Sequence, residues 1–381
     1  MHYLDHAATT PVLSEARDAM VATLDEDFGN PSSVHSFGRR AKTHVEDARD
    51  RVATAIGASP AEVVFTGGGT EADNLALKGV VEKLKGNGNH IVVTAFEHHA
   101  VLDAATWLGR GGIEVTTVPV AESGVIDPET IAAAVRPSTI LVSAMTVNNE
   151  IGTIQDITAI AAAVKERNPR TLVHTDAVQA LGNIRVDVHA WGVDLAAFAA
   201  HKIGGPKGVG ALFIRSQVPV GAVIHGGGQE RGIRSGTLNV AGIAGFGIAA
   251  EIAAKEVDEK ADRLRPLRDH LLNEIRSLVP DVVVNGDLEQ RVPGNLNISI
   301  PRTDGETLLL LLDQRGIACS SGSACSSGAL DPSHVLLALG QSKTLAKGSL
   351  RFSLGRPSTE EDVLAVVGAL PEIVATARKV A

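Results

Sequence analysis

The sequence predicts an α/β fold, and three observations carry that reading. β-branched runs alternate with amphipathic stretches over most of the 381 residues, the pattern of βα units in a parallel sheet. Thirty-nine glycines stand against eleven aromatic residues (eight Phe, two Trp, one Tyr), which implies short loops around a core of Val, Leu, Ile and Ala. Apolar residues make up 44% and charged residues 21%, usage that fits a globular chain and argues against disorder or a coiled coil.

Seven strands are expected in chain order, at residues 62–66, 90–94, 114–118, 139–145, 171–175, 195–199 and 210–214, enough for one large sheet. Between them lie helical patterns at 71–85, 127–135 and 156–167, which would cover its faces. The texture changes near residue 249. Residues 251–277 are charged and amphipathic, interrupted at Pro266, and read as a long helix leaving the first domain. Short strands follow at 281–285, 295–300, the cysteine segment and 349–354, with helices at 304–314 and 359–378, the makings of a small α+β domain. The first dozen residues show no pattern that places them.

Charge narrows the function. Thirty-five basic against 44 acidic side chains leave a net charge of -9, the wrong sign for binding nucleic acid or an anionic membrane surface. A small-molecule substrate fits better. Residues 1–6 lack the basic stretch and apolar core of a secretory signal, and the longest apolar run, 240–250, falls short of the ~20 residues that span a bilayer. A cytoplasmic location is expected. Cys319 and Cys325 lie in a Ser/Gly-rich segment, in a chain too large to need a disulfide staple.

Six places hold residues suited to chemistry, and each also has a structural reading. Val63-Val64-Phe65-Thr66-Gly67-Gly68-Gly69-Thr70-Glu71-Ala72-Asp73 runs from strand through a glycine turn into a helix, with Thr70 as expected N-cap and Asp73 at N3. Such a turn can hold a phosphate on free N–H groups, or it is a plain turn. In Asp194-Leu195-Ala196-Ala197-Phe198-Ala199-Ala200-His201-Lys202 an apolar strand delivers a lysine. Desolvation there would lower its pKa and make it a Schiff-base nucleophile; otherwise the head group reaches solvent. Asp176 ends the run Thr171-Leu172-Val173-His174-Thr175. It either caps the next helix or holds a pyridine nitrogen protonated, as pyridoxal phosphate requires.

Glu97-His98-His99 follows the second strand, where a parallel sheet keeps its ligands. An imidazole there could stack on a flat ring or carry protons, or merely cap a helix. As metal ligands, Glu97, His98, His99, His174 and Asp176 show no recognisable zinc spacing, so no metal is expected. Asn148-Asn149-Glu150 and Arg351 would grip a carboxylate, unless both are structural. The segment 317–328 reads as a loop carrying either a nucleophilic thiol or inert buried ones.

The residues Tyr3-Leu4-Asp5-His6-Ala7-Ala8-Thr9-Thr10-Pro11, 65–74, Glu97-His98, 148–152, 176–179, His201-Lys202, 226–238 and 320–325 together resemble the cysteine desulfurases, NifS/IscS-like, within the class V aminotransferase group of pyridoxal-phosphate enzymes. The resemblance covers nearly the whole chain. It implies a fold-type I homodimer with a mixed, mostly parallel seven-stranded sheet in a large domain, 13–255, and a small α+β domain, 256–381 with 1–12. By motif, Lys202 would anchor pyridoxal 5'-phosphate, Asp176 would meet its ring nitrogen, Gln179 its ring hydroxyl and His98 its face. Gly69, Thr70 and His201 would contact its phosphate, joined by Thr237 from the other subunit. Asn149 and Arg351 would bind the substrate carboxylate, and Cys325 would accept sulfur. Where the family carries a serine and a small residue before His-Lys, this chain has Ala199 and Ala200, which would remove one phosphate contact.

The activity so implied converts L-cysteine to L-alanine and loads sulfur on Cys325 as a persulfide, with Lys202 and His98 carrying protons. A sulfur acceptor or scaffold protein for iron-sulfur or thio-cofactor assembly is the implied partner. The competing readings are a selenocysteine lyase or aminotransferase of the same fold, and a silent sulfur carrier or scaffold without the cofactor.

Overall fold

The computed structural model describes residues 1–321 and 332–380, so Cys325 lies outside the described residues. After a short strand β1 (His2–Tyr3) and two helices, α1 (Ser14–Glu26) and α2 (Ser36–Ile56), the chain builds its large sheet. The strands are β2 (Val63–Thr66), β3 (His90–Thr94), β4 (Glu114–Val118), β5 (Thr139–Ser143), β6 (Leu172–Asp176), β7 (Leu195–Ala199) and β8 (Gly210–Ile214). They lie in the order β2-β8-β7-β6-β5-β3-β4. β8 runs antiparallel to both β2 and β7, and every other neighbouring pair in the sheet is parallel. All seven strands stand within two residues of their expected ends.

Strands β3, β5, β7 and β8 are buried along their whole length, which is why these runs read as continuous apolar segments rather than as alternation. The two-residue period still sorts their side chains. Ile91, Val93, Leu195 and Ala197 pack under helices α3 (Gly69–Leu84) and α4 (His99–Arg110). Val92, Ala196 and Phe198 pack on the other side against α2, α5 (Pro128–Ala134), α6 (Ile157–Arg167) and α7 (Val240–Lys255).

A separate core joins Leu4 to residues between 264 and 377. It holds α8 (Val257–Leu278), β9 (Val283–Val284), β10 (Asn295–Ser299), α9 (Gly305–Gln314), β11 (Ile317–Ala318), β12 (Ser349–Ser353) and α12 (Glu360–Val380), while two short helices between β11 and β12, α10 (His334–Ala338) and α11 (Lys343–Lys347), pack on the first core. β12, β10 and β9 form an antiparallel sheet, while β1 pairs in parallel with β11. That last pairing places the patternless N-terminus. Val335 and Leu336 of α10 return to the first core. Among the described residues no helix is long and apolar enough to cross a membrane.

Two local expectations need correction. The long charged helix breaks at Glu256, between α7 and α8, and Pro266 lies inside α8. Pro266 and Asp262, whose carbonyl loses its partner to the missing N–H, both face water, which can replace the bond. The cap of α3 is Gly68 rather than Thr70, because the turn needs φ +147°, a conformation open to glycine. Thr70 and Asp73 therefore sit deeper in the helix than expected.

One ion pair ties α2 to the edge strand. Arg49 donates from both terminal nitrogens to Glu230, at 2.9 and 2.7 Å, and Glu230 also accepts from the Phe65 N–H at 2.8 Å. Both side chains are buried. Glu230→Ala should therefore cost about 3 kcal/mol in urea unfolding, because it leaves the buried guanidinium with only the exposed Glu46 as counter-charge; a loss under about 1 kcal/mol would show that the pair bears no such load.

Candidate active site

The carboxyl ends of the parallel strands meet at one place, where an open α/β sheet offers a crevice. β6 delivers Asp176, β7 runs directly into His201 and Lys202, β3 leads to Glu97 and His98, and β2 leads through three glycines to the start of α3. Asp176 is buried, and its Oδ1 accepts from the Val178 N–H at 2.9 Å. Burial pushes its carboxyl up, while His98, the Val178 N–H and Lys202 pull it down. No helix follows Asp176 for it to cap; it stabilises the turn after β6 instead.

Lys202 Nζ donates to the carbonyls of Ala7 and Ala8, at 2.6 and 2.8 Å. Gln179 Nε2 shares the Ala7 carbonyl at 2.9 Å. His201 meets Thr9 Oγ1 through Nδ1 at 3.2 Å, and Thr10 donates to its carbonyl from both N and Oγ1. Burial, then Lys202 and Lys207, push the His201 imidazole down to about 4, so it is neutral at pH 7. The N-terminal segment thus lies across Gln179, His201 and Lys202 together.

His98 caps α4, its Nδ1 accepting from the Ala100 N–H at 3.1 Å. One polar atom each from His98, Asp176 and Asp73 lie within 4.8 Å of one another. Of the five residues weighed as metal ligands, only His98 and Asp176 belong to this group. Glu97 Oε1 is taken by Thr94 Oγ1 and the Met145 N–H, and His174 bonds Ser143 instead.

At the start of α3 the chain is packed so tightly that a Cβ on Gly69 would come within 2.6 Å of Val178 Cγ2 and 3.6 Å of Ala199 Cβ. The free N–H groups of this helix end, with exposed Thr70 beside them, can hold an anion. Ala199 stands next to this turn, where a hydroxyl would have added a donor, whereas Ala200 is buried in the core. Thr237 is exposed, in the segment that precedes α7.

Arg351, on β12 and buried, brings the second core to the same place. It donates to the Asn149 carbonyl at 2.8 Å and to Asp5 Oδ1 at 2.7 Å, and its Nε has no partner among the described residues. Neighbouring Asn148 builds the turn, accepting from the N–H groups of Glu150 and Ile151, and leaves Asn149 to line the opening. A cavity of about 360 Å³ runs between the two cores, lined by Ala7, Asn149, Gln179, Lys202, Asn295 and Arg356 among others.

The residues present fit pyridoxal phosphate. They supply an amine, a buried acid for a ring nitrogen, an imidazole at the ring's side and a glycine-lined helix end for the phosphate. Sequence reasoning missed the backbone carbonyls of Ala7 and Ala8, which leave no trace in side-chain identity. It also missed Asp73 as a site neighbour; the available signal was an acid among the apolar residues Ala72, Leu75 and Ala76 of one helix. Cys319 is not catalytic by environment, since burial pushes its thiol up to about 12.

Residues 2–366 match the family described as Aminotransferase class-V. A cysteine desulfurase IscS of Dictyoglomus turgidum is 47% identical over 378 residues, 99% of this chain and 95% of that protein. One from Methanosarcina thermophila is 46% identical, over 98% of this chain and 91% of its own length. Among solved structures, a NifS-like protein superposes with TM-score 0.93 at 40% identity, covering 99% of this chain and all of its own. SspA in complex with cysteine superposes with TM-score 0.81 at 31% identity, covering 93% and 99%.

Native protein treated with iodoacetamide at about pH 8 should alkylate Cys319 roughly a thousandfold more slowly than free cysteine. Peptide mass spectrometry reads this directly, and a rate near that of the free amino acid would contradict its burial.

Proposed function

We propose, from the premise that the chain belongs to the class V aminotransferase family and within it to the cysteine desulfurases, that it is a pyridoxal-phosphate enzyme that takes sulfur from L-cysteine and leaves L-alanine. The observation that carries this reading is the meeting of Lys202, Asp176 and His98 at the ends of β7, β6 and β3, beside a cavity that reaches Asn149.

When bound, pyridoxal phosphate supplies an electron sink for the charge left on the substrate's Cα when its proton departs. The protein does the rest. Asp176, whose carboxyl Lys202 and His98 pull down against its burial, would hold the ring nitrogen protonated; Lys202 would anchor the cofactor, and Gln179 would contact its ring hydroxyl. Gly69, Thr70 and His201 face its phosphate, and Thr237 of a second copy completes that contact. The exposure of Thr237 at the edge of the chain supports a homodimer.

The substrate carboxylate takes the guanidinium of Arg351 and the side chain of Asn149. Its Cα proton passes to Lys202 or His98. The Cys325 thiolate then attacks the substrate sulfur. The new S–S bond forms as the C–S bond breaks, its electron pair takes up at Cβ the proton that the Cys325 thiol gave up, and return of the first proton to Cα completes alanine. Atoms balance as L-cysteine plus a thiol giving L-alanine plus a persulfide. Chain length permits the encounter, since Cys325 follows Ser320 by five positions (325 minus 320), Ser320 bonds to Arg351, and five extended residues reach about 17 Å. The persulfide is suited to pass sulfur to an acceptor protein for iron-sulfur cluster or thio-cofactor assembly.

Purified protein given L-cysteine and a thiol reductant should yield alanine and sulfide in equal amounts. Borohydride reduction should fix the cofactor on the peptide that contains Lys202. Cys325→Ala should keep the cofactor's colour and its response to L-cysteine yet lose turnover by about 100-fold or more; full turnover would remove Cys325 from the mechanism. A 2-oxo acid that keeps the sulfur, in place of alanine, would favour an aminotransferase; selenide from L-selenocysteine with no sulfide from L-cysteine would favour a selenocysteine lyase; and absence of the adduct would leave only a carrier protein.

A further inference from the structure

Behind the site runs a row of buried polar groups that the reaction above does not use. Ser143 on β5, His174 on β6 and Asp73 on α3 are all fully enclosed. Ser143 Oγ lies 2.9 Å from His174 Nδ1. The other ring nitrogen, Nε2, faces Asp73 Oδ1 at 3.5 Å. Neither of these two atoms has another hydrogen-bond partner among the described residues. Buried polar atoms left so are rare and costly, and the simplest resolution is a proton shared between them.

The same row reaches the site. His174 and Asp176 are two residues apart on β6, so their side chains share one face of the sheet. Asp73, His98 and Asp176 come within 4.8 Å of one another. Two carboxyl groups so close in a dry interior cannot both ionise. Asp176 has His98 and Lys202 to hold it as an anion. Asp73 meets burial and two other acids, Asp176 and Glu97, all of which push its carboxyl up. The remaining proton therefore sits on Asp73. Burial pushes His174 down to about 3, so its ring is neutral and has one lone pair to accept that proton. With the lone pair at Nε2, the ring N–H is at Nδ1 and donates to Ser143 Oγ.

We propose that Asp73 is a positioning residue: as a neutral carboxylic acid it donates to His174 Nε2, is backed in turn by Ser143, and leaves Asp176 the lone anion facing the cofactor's ring nitrogen. The last clause rests on the pyridoxal-phosphate reading; the hydrogen bond itself does not.

Two measurements test it. In apoprotein labelled with 13C at the aspartate side-chain carboxyl, the infrared spectrum at neutral pH should contain a carboxylic-acid C=O band. Asp73→Asn should remove that band and Glu97→Gln should leave it. In holoenzyme, Asp73→Asn keeps the shape and a donor, so it should hold pyridoxal phosphate within about threefold of wild type. The visible spectrum and its pH midpoint should also stay in place. Asp73→Leu offers His174 no donor and should weaken the cofactor about tenfold and move the midpoint. A band that survives Asp73→Asn would overturn the proposal, as would an Asn variant that loses the cofactor as far as the Leu variant. A wild-type protein that shows the band but binds no pyridoxal phosphate would sink the functional reading and leave the Asp73–His174 bond standing.

Discussion

The site depends on how a lysine ammonium is satisfied at the seam between two cores. Lys202 emerges from a fully apolar strand, and its Nζ is met by the backbone carbonyls of Ala7 and Ala8. The segment that supplies them is held at both ends. β1 pairs with β11, Asp5 bonds Arg351 and the Tyr3 hydroxyl donates to the Thr9 carbonyl, while Thr10 is tied to His201. Through these few bonds the N-terminus joins Lys202 on the large sheet to Arg351 on the small one. A backbone carbonyl is neutral and holds the amine without the pull of a carboxylate.

Around that amine the protein gathers an excess of acid. Glu97, Asp73 and Asp176 are all buried, and Glu97 is pushed up to about 8, mostly by burial. Such crowding is useful only if the acids do not all ionise. Burial alone treats the three alike; what separates them is the cations within reach, since Asp176 has both His98 and Lys202, Glu97 has His98 alone and Asp73 has neither. The environment thus turns one acid of a set into an anion and keeps its neighbours as neutral hydrogen-bonding groups. A cofactor ring that needs a protonated nitrogen meets one charge there instead of a cluster.

Much of this was legible from residue order. Most of the seven strands were readable because they are buried on both faces and so carry nearly unbroken β-branched or apolar runs, whereas the edge strand β4 is half-exposed and was read from its β-branched residues. Lys202, Asp176 and His98 could be singled out because strand ends are where a parallel sheet keeps its ligands. Other features were not readable. The break at Glu256 carries no breaker residue, and Pro266 carries one without breaking anything, because local propensity yields to solvent access at that face. Gly68 as the helix cap depends on a backbone angle, and three adjacent glycines do not reveal which of them takes it.

By itself the sequence determined the fold class, the strands, the family and the side chains fit for chemistry, since all of these follow from residue type and local period. Only the tertiary structure decided which groups face one another: the N-terminal carbonyls on Lys202, Asp5 on Arg351, Asp73 on His174, and a half-buried Cys319 thiol whose surroundings disfavour its thiolate. The physical reason is that desolvation and partnership act through space. Residues hundreds of positions apart in the chain set each other's charge once they share a dry interior, and no local pattern records that distance.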